Sequence, residues 1–179
     1  MANRCKFTEL TDVANGEALN ISTVDMTIDD LTLDTITTTG NVTIGGTVTS
    51  KAATEVVTAT NAITAAESGS TFFLNSTTEF VSTLPAPAAG LNYTFIVTGA
   101  PSGASYTVVT TSSANIIKGQ AINAAGVAGD TGTADDTITF VDGQSVAGDE
   151  VRVISDGTSW FAKAFCAVAA GVTFTQASA

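Results

Sequence analysis

Along most of the chain, apolar residues alternate with threonine, serine and aspartate at a spacing of two, the signature of half-buried strands. Between residues 20 and 50 the apolar positions are Ile21, Val24, Met26, Ile28, Leu31, Leu33, Ile36, Val42, Ile44 and Val48. Gly40-Asn41 and Gly45-Gly46 punctuate this run as tight turns. It contains no aromatic residue. Strands this thin bury too little surface to stand alone, so they are expected to wrap with other copies around an axis or to lie on another protein. Residues 1–19 read as an arm that orders against a partner, with room for one helical turn closed by Gly16.

Core-forming residues arrive after residue 70: eight of the nine Phe, both Tyr and the only Trp. The pattern predicts strands at Thr71–Leu74, Glu79–Leu84, Asn92–Thr98, Tyr106–Thr111, Ile116–Ile122 across Gly119, Thr137–Val141, Glu150–Ser155 and Trp160–Phe165. Pro85-Ala86-Pro87, Pro101-Ser102-Gly103 and Asp156-Gly157-Thr158-Ser159 separate them as turns. Residues 51–70 form a transition in which Val56-Val57 and Ile63 can start a strand. The fold class is therefore all-β: an extended N-terminal arm and strand region, followed by a β-sandwich or jelly-roll-like barrel. The expected division is 1–64 for docking and trimerisation, and 65–179 for a compact outer domain.

Composition sharpens what this body can do. The chain has 179 residues, 17 acidic, 6 basic and no histidine, for a net charge of −11. Polarity rests on its 32 threonines more than on charge. Without histidine, Ser-His-Asp and Cys-His catalysis and the commonest metal ligand are excluded. The acid excess repels phosphate backbones, so no nucleic-acid partner is expected. Cys5 and Cys166 are too few for a disulfide framework or a four-ligand zinc site, and read as free thiols. The longest apolar run, Ala164 to Val172, falls short of the roughly 20 residues a membrane span needs. Residues 7–12 are not the apolar core of a signal peptide. No membrane partner is expected, and the chain is expected to stay where it is made until the cell breaks open.

The carboxylates cluster at Asp25/Asp29/Asp30/Asp34, Asp130/Asp135/Asp136 and Asp149/Glu150. Most fall in predicted turns, where aspartate bonds its own backbone, and are expected to be solvated. Asp130, Asp135 and Asp136 offer oxygens for calcium, but their spacing departs from the Asp-x-Asp-x-Asp-Gly loop. Trp160, flanked by Phe161, reads as core. Cys166, between Phe165 and Ala167, reads as a small buried hydrophobe. No catalytic set and no cofactor site emerges, so the chain is expected not to be an enzyme.

Two stretches carry a resemblance. Phe72-Phe73-Leu74 followed by Phe80-Val-Ser-Thr-Leu84-Pro85-Ala-Pro87-Ala-Ala-Gly90-Leu-Asn-Tyr93-Thr-Phe95-Ile-Val97, and Gly148-Asp-Glu-Val-Arg-Val-Ile-Ser-Asp-Gly157-Thr-Ser-Trp160-Phe161, resemble virion structural proteins of tailed bacteriophages, especially marine ones. The run Thr39-Gly-Asn-Val-Thr-Ile-Gly-Gly-Thr-Val48 is similar to repeats of trimeric fibre shafts. The resemblance covers about residues 65–165. It implies a β-domain of the particle surface: a capsid decoration (cement) protein, or a head- or tail-fibre component contacting the host. The short chain and its order of arm then head favour decoration. The resemblance implies assembly in the host cytoplasm, a place on the capsid surface, the major capsid protein as partner and a homotrimeric state. Candidate capsid-binding residues are Arg4, Lys6 and Phe7 in the arm, and Met26, Ile28, Leu31 and Leu33 on the first alternating strands. The fibre alternative predicts exposed aromatics at loop tips near Tyr93 or Tyr106. A surface depolymerase would need two carboxylates converging in a groove.

Overall fold

The computed structural model describes residues 51–123, 125–129 and 134–176. The arm and the first alternating strands, and with them Arg4, Lys6, Phe7, Met26, Ile28, Leu31 and Leu33, lie outside the described residues. Among the described residues twelve strands form: β1 (Thr54–Val57), β2 (Asn61–Ala62), β3 (Thr71–Leu74), β4 (Phe80–Thr83), β5 (Asn92–Val97), β6 (Tyr106–Val109), β7 (Ile117–Asn123), β8 (Gly126–Gly129), β9 (Thr137–Phe140), β10 (Glu150–Ser155), β11 (Trp160–Phe165) and β12 (Val172–Thr175). The described helical residues are two short 3-10 turns, Ala65–Glu67 and Thr111–Ser113. The chain is all-β, as its threonine and valine content dictates.

The strands make two sheets, in the orders β1-β3-β5-β10-β11-β7-β8 and β12-β9-β6-β4-β2. The first six strands alternate strictly between them. β1, β3 and β5 pair in parallel in the seven-stranded sheet, and β2, β4 and β6 pair in parallel in the five-stranded one. Parallel neighbours need a crossover, and here each crossover is a strand of the opposite sheet. The chain thus winds through three coils, each laying one strand on each sheet. From β7 onward most pairing is antiparallel: β7 with β8, β6 with β9, β5 with β10, β10 with β11 and β9 with β12. The result is a sandwich whose first half is wound, where a jelly roll would be antiparallel throughout.

Alternation places one residue in two in a single shared core. Winding in register stacks like on like. Phe72 lies opposite Phe95 on the neighbouring strand, with rings 5.3 Å apart and 19° from parallel. Phe80 lies opposite Tyr106, with rings 4.4 Å apart and 18° from parallel. Each fully buried ring contributes about 2–3 kcal/mol of transfer free energy, and stacking adds about 0.5–1.5. The tyrosine hydroxyls are bonded. Tyr93 donates to Thr64 O at 2.9 Å. Tyr106 shares its proton between Ser76 O (2.6 Å) and Gly99 O (2.9 Å).

The sandwich includes residues ahead of 65, because β1 and β2 pair into both sheets and Val57 and Ile63 are buried in the core. The aromatics that the fibre alternative predicts at loop tips are placed differently. Tyr93 and Tyr106 are not at exposed loop tips. Each is 1% exposed, because each falls on an inward position of its strand. β8 and β12 are strands the pattern did not mark. β12 fills the end of the five-stranded sheet against β9, and the half-buried Phe174 enters the space over Gly119 of β7.

A side chain at Gly119 would overlap the Phe174 ring. Gly119→Val is expected to lower unfolding free energy by about 1–3 kcal/mol through overpacking, read as a lower urea midpoint at unchanged slope. An unchanged midpoint would show that Phe174 does not close the core.

Candidate functional site

The stretches Phe80–Val97 and Gly148–Phe161 meet at the middle of the seven-stranded sheet. β5 ends the Leu84–Val97 element, and β10 and β11 are the Glu150–Phe161 hairpin with its extension. β5 pairs antiparallel with β10, Tyr93 opposite Val153 and Phe95 opposite Val151. The turns interlock too. Gly90 N donates to Ser155 O at 2.9 Å, and Ser155 N donates to Leu91 O at 2.9 Å. Gly90 (φ 87°) and Gly157 (φ 102°) take left-handed conformations that favour glycine, and a Cβ on Gly157 would sit 3.4 Å from Ala89 N. Inside, Trp160 is fully buried with its ring 5.7 Å from Tyr93. The motif residues therefore build one structural unit.

The hairpin turn is held by a carboxylate. Asp156 Oδ1 accepts from Thr158 N, Thr158 Oγ1 and Ser159 N, each at 2.8 Å. The Ser159 and Thr158 amides hold this exposed group down at about 2.

The outward positions of this sheet form three rows across the strands. One runs Val56, Phe73, Ile96, Glu150, Phe165, Ile122. The middle row runs Thr54, Thr71, Thr94, Arg152, Lys163, Gln120. The third runs Asn92, Ile154, Phe161, Lys118. Of the seven exposed large hydrophobics among the described residues, five lie here: Val56 (59% exposed), Ile154 (53%), Phe165 (47%), Ile122 (42%) and Phe161 (40%). So do Lys118, Arg152 and Lys163, leaving Lys51 as the one other basic side chain among the described residues. In an acidic chain, three of the four described cations stand on the face that also carries most of the exposed large hydrophobics.

Neighbours on the face hold each cation. Arg152 Nε donates to Glu150 Oε1, Lys163 Nζ donates to Gln120 Oε1, and Lys118 Nζ stands 5.3 Å from the centre of the Phe161 ring. Arg152 and Lys163 are directly opposite each other across the β10–β11 pair. Like charges so placed destabilise a sheet.

A hollow of about 550 Å³ adjoins the face, lined by Ile122, Asn123, Ala147, Gly148, Asp149, Phe165, Cys166 and Ala167. Here the expectation of solvated carboxylates is corrected: Asp149 is 2% exposed. It accepts from Ser145 Oγ (2.8 Å) and Val146 N (3.0 Å) on Oδ2, and from Ala167 N (2.9 Å) on Oδ1. It thereby ties the loop before β10 to the turn after β11. Asp135 and Asp136 are buried as well. Asp135 pairs through its backbone with Ile117, and the Asp136 carboxylate accepts from Thr137 Oγ1 at 2.7 Å. Asp130 lies outside the described residues, and among the described residues no three metal-ligating side chains gather. Cys166 is buried beside Asp149. Desolvation above all pushes its thiol up, which disfavours the thiolate. No helix among the described residues is long and apolar enough to cross a membrane.

No motif in the sequence announced this face. Its members are spread over six strands, and the only sequence sign was a basic or large apolar residue at alternate positions of Glu150–Ser155 and Trp160–Phe165. Compared with known protein families, curated proteins and solved structures, the chain matches none.

Because Asp156 is depressed on folding, its turn bonds stabilise the protein fully above the ordinary carboxylate pKa of about 4. That contribution is lost as pH falls toward about 2. Asp156→Asn is expected to melt below the natural protein at pH 7, with the gap narrowing below about pH 4 and closing only as pH falls through about 2. A gap independent of pH would show that the charge on Asp156 does not hold the turn.

Proposed function

We propose that the chain is a non-enzymatic structural protein of tailed-bacteriophage virions, a decoration protein that binds the mature capsid shell and bridges major capsid protein subunits. The observation that carries this reading is the outward side of the motif unit. The β5–β10–β11 strands that resemble virion proteins present, with β7, the apolar and cationic face of an otherwise acidic body. An acidic, threonine-rich remainder keeps such a body soluble, while one broad face is left to dock.

The mechanism is linkage. A protein that binds the expanded shell and not its precursor stabilises the expanded state by mass action. Association of copies as a homotrimer would multiply weak contacts through avidity. The N-terminal arm, with Arg4, Lys6 and Phe7, would add a second attachment. The fibre reading called for aromatics at loop tips, but Tyr93 and Tyr106 are in the core. The exposed Phe161 and Phe165 lie on a sheet face, which suits a broad protein contact better than a tip that grasps a glycan.

Quantifying the protein in purified particles tests this. Decoration predicts a copy number comparable to that of the capsid protein, and shells stripped of the protein should open at lower temperature. A copy number typical of a few fibres would move the assignment to a fibre, and absence from particles would end the virion reading.

A further inference from the structure

We propose that the outer face of the seven-stranded sheet docks a carboxylate-bearing protein surface, with Arg152 and Lys163 as the pair that receives its acidic side chain and the flanking rows as its apolar seat. This rests on the decoration reading for the identity of the partner, but the chemistry follows from the face itself.

The starting point is a local rule that the sheet breaks. Arg152 and Lys163 occupy opposite positions on adjacent antiparallel strands, which brings their β-carbons to about 5 Å. The chain has 6 basic residues in 179, and two of them stand side by side at the centre of the widest sheet. Glu150 engages Arg152 and Gln120 engages Lys163, so Lys163 has a neutral partner and the pair keeps an excess of positive charge. Such a local conflict in an otherwise consistent fold marks function. An acidic group set over the pair relieves the repulsion.

The rows on either side define what carries that group. Phe165 and Ile122, in a row with Glu150, border the pair on one side, and Ile154 and Phe161, in a row with Lys118, on the other. Apolar side chains flanking a charged pair on both sides fit a protein surface whose carboxylates are set among apolar residues, since a bare anion would leave the flanks exposed. Size agrees. Six strands at about 4.8 Å spacing and four to six residues at about 3.4 Å span roughly 24 by 14–20 Å, the scale of one side of a small, weak interface. Aromatic and arginine side chains are enriched at such interfaces.

The test uses the full chain and purified shells of the major capsid protein, with the double variant Arg152→Gln, Lys163→Gln. Co-sedimentation at low salt is expected to weaken at least tenfold in the variant, and natural-protein binding should fall steeply with added salt. The melting temperature of the variant should hold or rise, because a repulsive pair has been removed; a purely structural pair would lower it. Replacing Phe161 and Phe165 by Thr should weaken binding with little change in its salt dependence. If the natural protein and the variant sediment with shells equally, the docking proposal fails while decoration stands. If the substitutions instead dissociate a homo-oligomer, the occupant is a second copy and the proposal is overturned. If the natural protein does not bind shells, decoration fails, and retention on immobilised poly-L-glutamate decides the chemistry. Selective retention of the natural protein over the variant supports it, and equal retention overturns it.

Discussion

Strand β5 is where two modes of pairing meet. On one side it lies parallel to β3, and on the other it lies antiparallel to β10. Everything before it is wound, coil upon coil between the two sheets. After β6, one strand pair is parallel, β11 with β7, and the others are antiparallel. The register of β5 therefore sets both halves at once. Phe95 faces Phe72 in one direction and Val151 in the other. Because side chains repeat every two residues, a slip of one position would turn both the aromatic stack and the motif hairpin inside out.

That dependence also ties together two stretches far apart in the chain. Leu84–Val97 and Glu150–Phe161 are distant in sequence, yet they share backbone bonds at Gly90, Leu91 and Ser155, and a ring contact between Tyr93 and Trp160. Their glycines answer to backbone geometry, and their aromatics to the core. The same alternation that buries Val151, Val153, Trp160, Ala162 and Ala164 delivers Arg152, Ile154, Phe161, Lys163 and Phe165 to the other side. The core thus dictates the composition of the candidate docking face one residue out of step.

Charge burial follows a different logic from charge display. Asp149 is tolerated inside because three donors surround it, and an unpaired carboxylate there would be costly. Arg152, Lys118 and Lys163 remain outside, Lys118 over the Phe161 ring and the other two against Glu150 and Gln120. Threonine carries the remaining polarity, so the cations stand out against a largely uncharged sheet.

The sequence determined the fold class and the position of most strands unaided, since period-two alternation is a local property. Thr71–Leu74, Glu150–Ser155 and Trp160–Phe165 are legible to the residue. It also determined that Trp160 and Cys166 belong to the interior. The start of the sandwich, parallel winding in place of a jelly roll, the burial of Asp149 and the closing role of Phe174 were decided by tertiary structure. The reason is physical: alternation says that a strand has two faces, but not which strand will lie beside it. Lys118, Arg152 and Lys163 become one surface only when β7, β10 and β11 are neighbours, and that neighbourhood is set by the packing of residues far apart in the chain.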